Sequence, residues 1–333
     1  MKTITGILVL SAFVAPTPAA AQGHLQYQIE RIADYALTIA ADALGELVEE
    51  RRDDRDARQR DPRDPRARDD RGGPEFTEMF TKTVRLGRNG RLELENFSGD
   101  VEVVGGNSED VKITATKSVR ARDESAGRAT LAATEIQVVE RSGLVTISSG
   151  PTRGRFSSVE VDYTLAIPTG TNLSLKTASG DVTVRNIAGD LVVNSLSGDV
   201  VVSDSKPRAI TIELVSGDVS LEKVDSERVT VKSLSGDVVM TGKLIKTGRY
   251  DLNTHSGDIQ VIPEGNPGFD LEAATFSGDV STDFTMKLGG VGRSNFGSPD
   301  RGRRNNELRG TANDGGAALS LHSFSGDILI NKR

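Results

Sequence analysis

The sequence of 333 residues contains no cysteine and no tryptophan. The absence of cysteine excludes disulfide scaffolds, thiol catalysis and metal or iron–sulfur sites that depend on cysteine ligands. It also argues against a bacterial lipoprotein anchor, because that lipid is attached to a cysteine at the processing site. Covalent cross-links, cysteine chemistry and a lipid anchor are therefore not expected in this protein.

Aromatic residues are also scarce, and acidic residues outnumber basic ones. Only 4% of the residues are aromatic, and the formal net charge is −7. Few flat rings count against a sugar-stacking groove. The acidic balance argues against nucleic acid as the main partner, because phosphate neutralisation needs a basic surface.

Long apolar runs are missing apart from the first residues of the chain. Residues 1–21 combine a lone Lys2, an apolar stretch over residues 4–14 and alanines at 19–21. This layout is typical of a cleaved secretory signal peptide, and its apolar part is shorter than the roughly 20 residues of a spanning helix. We therefore expect an exported protein, in the periplasm or at the cell surface, with no transmembrane span in its mature chain. An uncleaved anchor is the alternative.

Two segments follow this signal. Over residues 22–50, apolar residues recur at three- and four-residue steps, which is the period of an amphipathic helix. Because its polar face is acidic, we expect this helix to pack on its own protein or on another copy rather than on a membrane surface. Residues 51–75 are rich in arginine and aspartate and are expected to form a disordered linker. The main domain then covers residues 76–333.

A repeated triplet carries most of the information in the sequence. Ser-Gly-Asp occurs eight times, and a ninth copy has alanine in place of serine. The copies begin at Ser98, Ser179, Ala188, Ser197, Ser216, Ser235, Ser256, Ser277 and Ser325. Apolar residues two positions apart flank each triplet, which predicts two short strands with one buried face and a tight turn between them.

The residue types of the triplet suit a turn. Glycine permits the positive φ angles of a tight turn, and the Asp and Ser side chains can bond nearby backbone groups of that turn. The residue before the triplet is usually apolar, with a small Ala178 and a polar His255 as exceptions. The apolar ones are Phe97, Ile187, Leu196, Val215, Leu234, Phe276 and Phe324.

The spacing of the triplets predicts the fold class. From Gly180 onward, successive triplet glycines are 9 or 19–21 residues apart. A unit of 18–21 residues holds two strands and two turns, and it can bury its apolar face only when units stack. We therefore predict an all-β protein, a parallel β-solenoid of 18–21-residue coils with one triplet per coil along one edge, preceded by one N-terminal α-helix and a disordered linker. The nine-residue steps are half-coils, and an antiparallel meander is the alternative fold.

Several segments of the main domain lack the triplet. Four of them have strand patterns, at residues 111–116, 135–139, 145–148 and 159–167. We expect these strands to form an irregular N-terminal sheet that caps the solenoid. Residues 121–133 fit a short helix or a loop. Residues 288–316 are rich in Gly, Arg and Asn, and a long surface loop is expected there, which could carry a binding site.

The repeat and its flanks resemble a known bacterial family. The matching stretches are residues 90–101 (GRLELENFSGDV), residues 165–173, the Ser-Gly-Asp-Val series and residues 315–328. On these motifs, the chain resembles the putative-adhesin, β-strand-repeat family (domain of unknown function 4097) over roughly residues 76–333. The resemblance implies the repeat architecture and an adhesin-like role, and it supplies no catalytic residues.

Stacked coils would bring a column of aspartates together. Six triplet aspartates, Asp181, Asp199, Asp218, Asp237, Asp258 and Asp279, would lie about 5 Å apart. Their charges would repel, and the favoured interpretation is that each carboxylate bonds its own turn and faces water. A bound calcium ion is the alternative, since hard cations favour carboxylate oxygens. No metal and no cofactor is predicted.

Other candidates for chemistry are few. Two of the three histidines, His255 and His322, flank triplets in different coils, and no Gly-x-Ser-x-Gly motif occurs. Glu213, Lys232 and Asp251 occupy outward strand positions of the kind that a solenoid-type polysaccharide-active enzyme would use. They are interpreted as isolated charges on a solvated surface, so no catalytic residue is predicted.

Three functions remain open. We favour a non-catalytic exported cell-envelope protein whose adhesin-like solenoid binds or scaffolds, with an unknown envelope or surface partner or self-association through the N-terminal helix. The alternatives are a solenoid-type polysaccharide-active enzyme and a calcium-stabilised surface repeat protein. The repeat favours the first, because its residues are already explained by the fold.

Overall fold

The computed structural model describes residues 73–151, 159–287 and 306–332. The predicted signal peptide at 1–21, the predicted helix at 22–50 and nearly all of the predicted linker at 51–75 lie outside these residues. Within them, the chain is all-β except for one helix, α1 (Glu124–Ala133).

Strands account for most of the described residues. Before and around α1 they are β1 (Glu75–Arg85), β2 (Arg91–Ser98), β3 (Val101–Gly106), β4 (Asp110–Arg120), β5 (Thr134–Arg141), β6 (Leu144–Pro151) and β7 (Glu160–Pro168). The repeat then contributes β8 (Asn172–Ser179), β9 (Val182–Arg185), β10 (Leu191–Ser197), β11 (Val200–Ser203), β12 (Ala209–Ser216), β13 (Val219–Glu222), β14 (Ser226–Ser235), β15 (Val238–Gly242), β16 (Leu244–Ser256) and β17 (Ile259–Pro263). The last are β18 (Phe269–Ser277), β19 (Val280–Thr282), β20 (Met286–Lys287), β21 (Glu307–Ala312), β22 (Ala317–Ser325) and β23 (Ile328–Ile330).

The described strands form two large, mostly parallel sheets. Sheet A has 11 strands in the order β1-β4-β7-β3-β9-β11-β13-β15-β17-β23-β19. Sheet B has 12 strands in the order β20-β21-β18-β22-β16-β14-β12-β10-β8-β2-β6-β5. Each Ser-Gly-Asp triplet joins a strand of sheet B to the next strand of sheet A. The predicted parallel pairing is therefore confirmed for the repeat, and the alternative fold, an antiparallel meander, is wrong.

The inward faces of both sheets contribute to one hydrophobic core. The side chains along each strand alternate between buried and outward-facing, so that Val229 and Val231 of β14 and Val238 of β15 are fully buried. Tyr250 places a polar hydroxyl group in this core, and that group is hydrogen-bonded. Its hydroxyl donates to the Ser226 carbonyl at 2.9 Å and accepts from the Ile245 N–H at 2.8 Å.

The strands without the triplet extend the two main sheets. The prediction of a separate N-terminal capping sheet is wrong, because β4 and β7 belong to sheet A whereas β5 and β6 belong to sheet B. Their pairing is antiparallel between β1 and β4, between β4 and β7 and between β5 and β6. Because these strands add to the edges of the two sheets, their backbone N–H and C=O groups are hydrogen-bonded without a third sheet.

Residues 121–133, which fit either a helix or a loop, contain α1. The helix begins at an Asp123 cap, whose carboxylate accepts the Ala126 N–H at 2.8 Å. The buried Lys117 of β4 donates to the carbonyls of Leu131 (2.9 Å) and Thr134 (3.2 Å) at the other end of α1. The same ammonium pairs with Glu78 of β1 at 3.0 Å. One cation therefore ties the helix to two strands, where the carbonyl groups favour positive charge.

The strand order near the chain end differs from the sequence order. β22 lies between β16 and β18, and β23 lies between β17 and β19. Part of the predicted surface loop at 288–316 is also a strand, because β21 pairs antiparallel with β18 and buries Ala312. The Gly-rich and Arg-rich composition hid this strand, whose buried face exists only against β18. Residues 288–305 lie outside the described residues.

Candidate interaction surface along the triplet corner

The triplets meet at one corner between the two sheets. Ser179 pairs with Ser98 on one side and with Ser197 on the other, and the serines of all eight Ser-Gly-Asp copies follow in register. From Ser179 to Ser256, successive paired serines are separated by 18 residues (Ser179 to Ser197) up to 21 residues (Ser235 to Ser256). The predicted alignment of triplets along one edge is confirmed, with Ser325 between Ser256 and Ser277.

Glycine is required at this corner for two reasons, as Gly236 shows. Its φ angle is +134°, a conformation that side-chain-bearing residues rarely adopt. A Cβ atom at this position would also collide with the carbonyl oxygen of Gly217 in the neighbouring strand pair. The first reason can be read from the turn itself, but the second exists only because the turns stack.

The triplet aspartates form a continuous chain of hydrogen bonds, which we call the aspartate ladder. The N–H of each aspartate donates to the Oδ1 atom of the preceding one, at distances of 2.7–2.9 Å. The ladder begins at Asp162 of β7, which belongs to no triplet, and continues through the triplet residues Asp100, Asp181, Asp199, Asp218, Asp237, Asp258, Asp327 and Asp279. The prediction that each carboxylate bonds its own turn is wrong, because the donor belongs to the adjacent turn.

Charge accumulates where the ladder begins. Glu160 lies on β7 two residues before Asp162, and burial raises the pKa of its carboxyl group above the ordinary value of 4.5. The nearby charges of Asp162 and Asp100 raise this pKa further. The folded protein therefore disfavours the ionised form of Glu160.

A second column of side chains anchors the corner from the inside, and the sequence reading missed it. The residue two positions before the triplet serine is polar in seven of eight copies, as Asn96, Thr177, Ser195, Ser233, Thr254, Thr275 and Ser323, and all seven are buried. Thr275 donates to the Gly326 carbonyl at 2.8 Å, and Ser323 donates to the Gly257 carbonyl at 3.0 Å. The signal was a small hydroxyl or amide at a fixed offset from each triplet.

The residues immediately before the triplet serines form an outward row, which we call the corner ridge. In spatial order they are Phe97, Ala178, Leu196, Val215, Leu234, His255, Phe324 and Phe276. The His255 ring stacks on Phe324, and Phe324 stacks on Phe276, each with centroids 4.8 Å apart. Phe97 and Phe276 near the two ends are 52% and 57% exposed. Apolar side chains thus line the outer side of the corner beside the aspartate ladder.

The altered ninth copy lies at the opposite corner. Ala188 and Gly189 donate to the Thr169 carbonyl, and Asp190 donates to Asn172 Oδ1 in the turn that precedes β8. Ile187, which precedes this copy, is buried, unlike the exposed Phe97 that precedes the first Ser-Gly-Asp copy. The nine-residue steps from Gly180 to Gly189 and from Gly189 to Gly198 therefore run from one corner to the opposite corner and back.

The outward charges of sheet B are paired across adjacent strands. Lys232 Nζ lies 3.3 Å from Glu213 Oε1, and their side chains are only 14% and 29% exposed. Asp251 instead accepts a hydrogen bond from Asn253 of the same strand, β16, at 2.6 Å. Their interpretation as isolated solvated charges is therefore wrong for Glu213 and Lys232, because parallel stacking brings them to the same height in neighbouring strands.

His322 and His255 are the two histidines that the sequence places beside triplets. His322 Nε2 lies 3.1 Å from Ser320 Oγ on the outer face of β22, and His255 belongs to the corner ridge. Among residues 73–151, 159–287 and 306–332, no group of three or more His, Asp or Glu side chains is arranged to hold a metal ion. The same residues contain no helix with the length and apolarity needed to cross a membrane.

Several solved bacterial proteins are similar in structure to this chain. A putative cell adhesion protein of Clostridium sporogenes is 12% identical, with a TM-score of 0.33 over 78% of this chain and 100% of that one. A putative adhesin of Bacteroides fragilis is 12% identical, with a TM-score of 0.38 over 77% and 97%. A putative adhesin of Parabacteroides distasonis is 9% identical, with a TM-score of 0.30 over the same shares.

The family comparison covers most of the repeat. Among curated proteins, none matches the chain. A family model, described as Toastrack DUF4097, matches residues 129–331. This span contains seven of the eight Ser-Gly-Asp copies and confirms the resemblance inferred from the motifs. The chain belongs to the Toastrack DUF4097 family.

Proposed function

We propose that this protein is a non-catalytic, exported cell-envelope protein whose β-solenoid of 18–21-residue coils binds or scaffolds through its triplet corner. Export by a cleaved signal peptide and attachment through the helix at 22–50 are parts of this proposal that rest on the sequence. The observation that carries the binding role is the corner ridge, an outward row of apolar side chains beside a row of carboxylates.

The ridge is suited to an extended partner. Its members recur once per strand of sheet B, about 4.8 Å apart, which is the spacing of neighbouring strands. Contiguous outward apolar side chains mark interaction sites more often than scattered ones do. The stacked rings of His255, Phe324 and Phe276 give the ridge a rigid end, because each ring is held by its neighbour.

The aspartate ladder adds charge selectivity beside the ridge. The triplet aspartates lie on exposed turns, and the Oδ1 atoms from Asp100 to Asp327 are already fixed by an N–H of the adjacent turn. Fixed carboxylates next to apolar side chains favour a partner that presents basic and apolar groups along one line. They disfavour an acidic partner through like-charge repulsion.

The test measures binding of the full chain to envelope fractions of the source organism by co-sedimentation. A variant with Leu234→Ser, Phe324→Ser and Phe276→Ser should bind at least about fivefold more weakly, because the ridge supplies the apolar anchors. The matched control is Val104→Ser, which removes an exposed apolar side chain (38%) on sheet A, away from the ridge. Equal binding by the ridge variant and the control would refute the role of the corner.

The non-catalytic part of the proposal has its own test. Incubation of the full chain with envelope polysaccharides and glycans should release no product above that of a heat-denatured sample. Dose-dependent cleavage that is lost in Glu213→Gln or Lys232→Met would instead favour the solenoid-type enzyme, because these two residues form the paired outward charges of sheet B.

A further inference from the structure

The outermost strand of sheet A, β1, has one unpaired edge. It pairs with β4 on one side, and no strand of residues 73–151, 159–287 or 306–332 lies on its other side. At 11 residues it is far longer than β19, the three-residue strand at the opposite edge of the same sheet. Short edge strands are one way in which proteins avoid unwanted pairing, and β1 lacks that protection.

The hydrogen bonds at the two ends of β1 show which backbone groups face the open edge. The Ala121 N–H donates to the Pro74 carbonyl, and the Leu86 N–H donates to the Glu109 carbonyl. In an antiparallel pair, hydrogen-bonded and non-hydrogen-bonded residue pairs alternate. The even-numbered residues of β1 therefore bond to β4. The odd-numbered residues, from Glu75 to Arg85, direct their N–H and C=O groups away from it.

The sequence of β1 is complementary to itself when it is read antiparallel about Phe80. In this register Glu75 lies opposite Arg85 of a second copy, Glu78 opposite Lys82, and Thr77 opposite Thr83. Phe80 meets its own equivalent at the centre. Opposite charges and aromatic pairs placed directly across two strands are stabilising contacts.

Backbone geometry selects the same register. Pairing about Phe80 sets odd-numbered residues opposite odd-numbered residues, so the unpaired N–H and C=O groups of both copies face one another. A shift by two residues keeps this parity, but it moves Glu78 opposite Phe80 or Val84 and removes both charge matches. Only one register therefore satisfies backbone and side chains together.

We propose that β1 pairs antiparallel with β1 of a second copy of this chain, and that the resulting two-fold dimer joins the two A sheets edge to edge. Such an interface is isologous, so each contact occurs twice. Met79, which is 71% exposed, lies opposite Thr81 of the partner and loses most of that exposure. The other long edge strand, β5, is less complementary, because pairing about Val138 sets Glu135 opposite Arg141 but leaves Glu140 opposite Ile136.

The first experiment measures the mass of the full chain by light scattering from about 1 μM to about 100 μM. The wild type should be dimeric in the upper part of this range, and Met79→Pro should be monomeric, because proline removes an N–H that faces the open edge. Its near-native circular dichroism and melting temperature would show that the fold is kept. A monomeric wild type, or an equally dimeric Met79→Pro, would overturn the proposal, including the case in which association runs through the predicted helix at 22–50.

Charge exchange tests the register. Glu75→Arg should weaken dimerisation about tenfold, since it sets two arginines opposite each other twice in the dimer. The double variant Glu75→Arg/Arg85→Glu should restore the dissociation constant to within about threefold of the wild type. Glu135→Arg on β5 is the control and should leave it unchanged. A failure of the double variant to recover, while Met79→Pro is monomeric, would refute this register.

A distance measurement gives an independent readout. The chain contains no cysteine, so a single Thr81→Cys or Thr83→Cys carries one spin label per copy. Each residue farther from Phe80 separates the two labels by two more residues along the strands. The label distance should therefore be about 13 Å longer at position 83 than at position 81. Equal distances would contradict the two-fold axis at Phe80.

Discussion

The middle of the molecule and its N-terminal end use the same two sheets in different ways. From β8 to β17, each strand pair repeats the last one in parallel, and one triplet corner sits on the next. Near the N-terminus, β1, β4, β5 and β6 pair antiparallel, carry no triplet, and are covered in part by α1. The middle is stabilised by contacts between equivalent residues, whereas the end depends on single side chains such as Lys117. The two regions should therefore fail in different ways when they are mutated.

The largest difference is expected between two glycines with positive φ. Gly236→Ala should lower the free energy of unfolding by about 3 kcal/mol or more, because the added Cβ meets the Gly217 carbonyl of the stacked turn. Gly143→Ala, in the turn between β5 and β6, has open space around the new Cβ and should cost only about 1 kcal/mol. Urea unfolding followed by circular dichroism measures both. Equal losses would show that turn conformation, not stacking, requires the triplet glycine.

The second-largest loss of stability is expected in the N-terminal region around α1. Lys117→Met should destabilise by about 2–3 kcal/mol, because it leaves two buried carbonyls of the α1 terminus and Glu78 without their donor. Hydrogen exchange should show faster opening of α1 and β1 than of β10–β15. The control is Lys176→Met, which removes an exposed ion pair with Glu95 and should cost less than about 0.5 kcal/mol. A uniform rise of exchange over all strands would contradict a local role for Lys117.

A smaller effect separates two members of the inner hydroxyl column. Thr275→Val should cost about 1–2 kcal/mol, since it removes the donor to the half-buried Gly326 carbonyl. Ser233→Ala should cost almost nothing, because the buried Ser233 hydroxyl has no hydrogen-bond partner among the described residues. Thermal unfolding of both variants measures the difference. If Ser233→Ala is the more damaging substitution, the anchoring role assigned to this column is wrong.

A pH-dependent effect is expected at the start of the ladder. The raised pKa of Glu160 means that its contribution to stability is full when the carboxyl is protonated and is lost as pH rises through the folded-state pKa. Glu160→Gln should therefore be slightly more stable than the wild type at neutral pH and equal to it well below pH 4.5. Melting temperatures across this range measure the difference. A stabilisation that persists unchanged in acid would point to a cause other than charge.

Calcium should have the smallest effect. The ladder Oδ1 atoms from Asp162 to Asp327 already accept the N–H of the next aspartate, so ion binding would compete with these hydrogen bonds. The melting temperature of the full chain should change by less than about 2 °C between millimolar calcium and a chelator. A large rise in calcium would revive the calcium-stabilised alternative, and Asp218→Asn and Asp237→Asn would then identify the ligands.

The sequence predicted the repeat well and the remainder less well. The triplet positions and the alternating apolar residues gave the strands, the parallel register and the alignment of Ser179, Ser197 and Ser216, because each signal lies within a few residues. The edge extensions could not be placed in the same way. β21 could not be recognised from its own residues, because its buried face exists only against β18. The site of α1 depends on Lys117, which lies several residues before the helix begins.

The candidate interaction surface was likewise predicted only in part. The apolar residue before each triplet was visible in the sequence, but its outward direction and the stacking of His255 on Phe324 were not. The pairing of Glu213 with Lys232 depends on two strands whose sequences are 19 residues apart. Such contacts depend on the register between two strands, and that register is fixed only by which strands lie side by side in the sheet.

What the sequence determined by itself is the content of each strand pair, namely the one-sided strands and the Ser-Gly-Asp turn that joins them. These are local properties that repeat with every triplet. Only the tertiary structure decided that β22 lies between β16 and β18 and that each aspartate bonds the neighbouring turn. The physical reason is that similar strand pairs fit beside one another almost equally well, so their order depends on packing across the whole sheet.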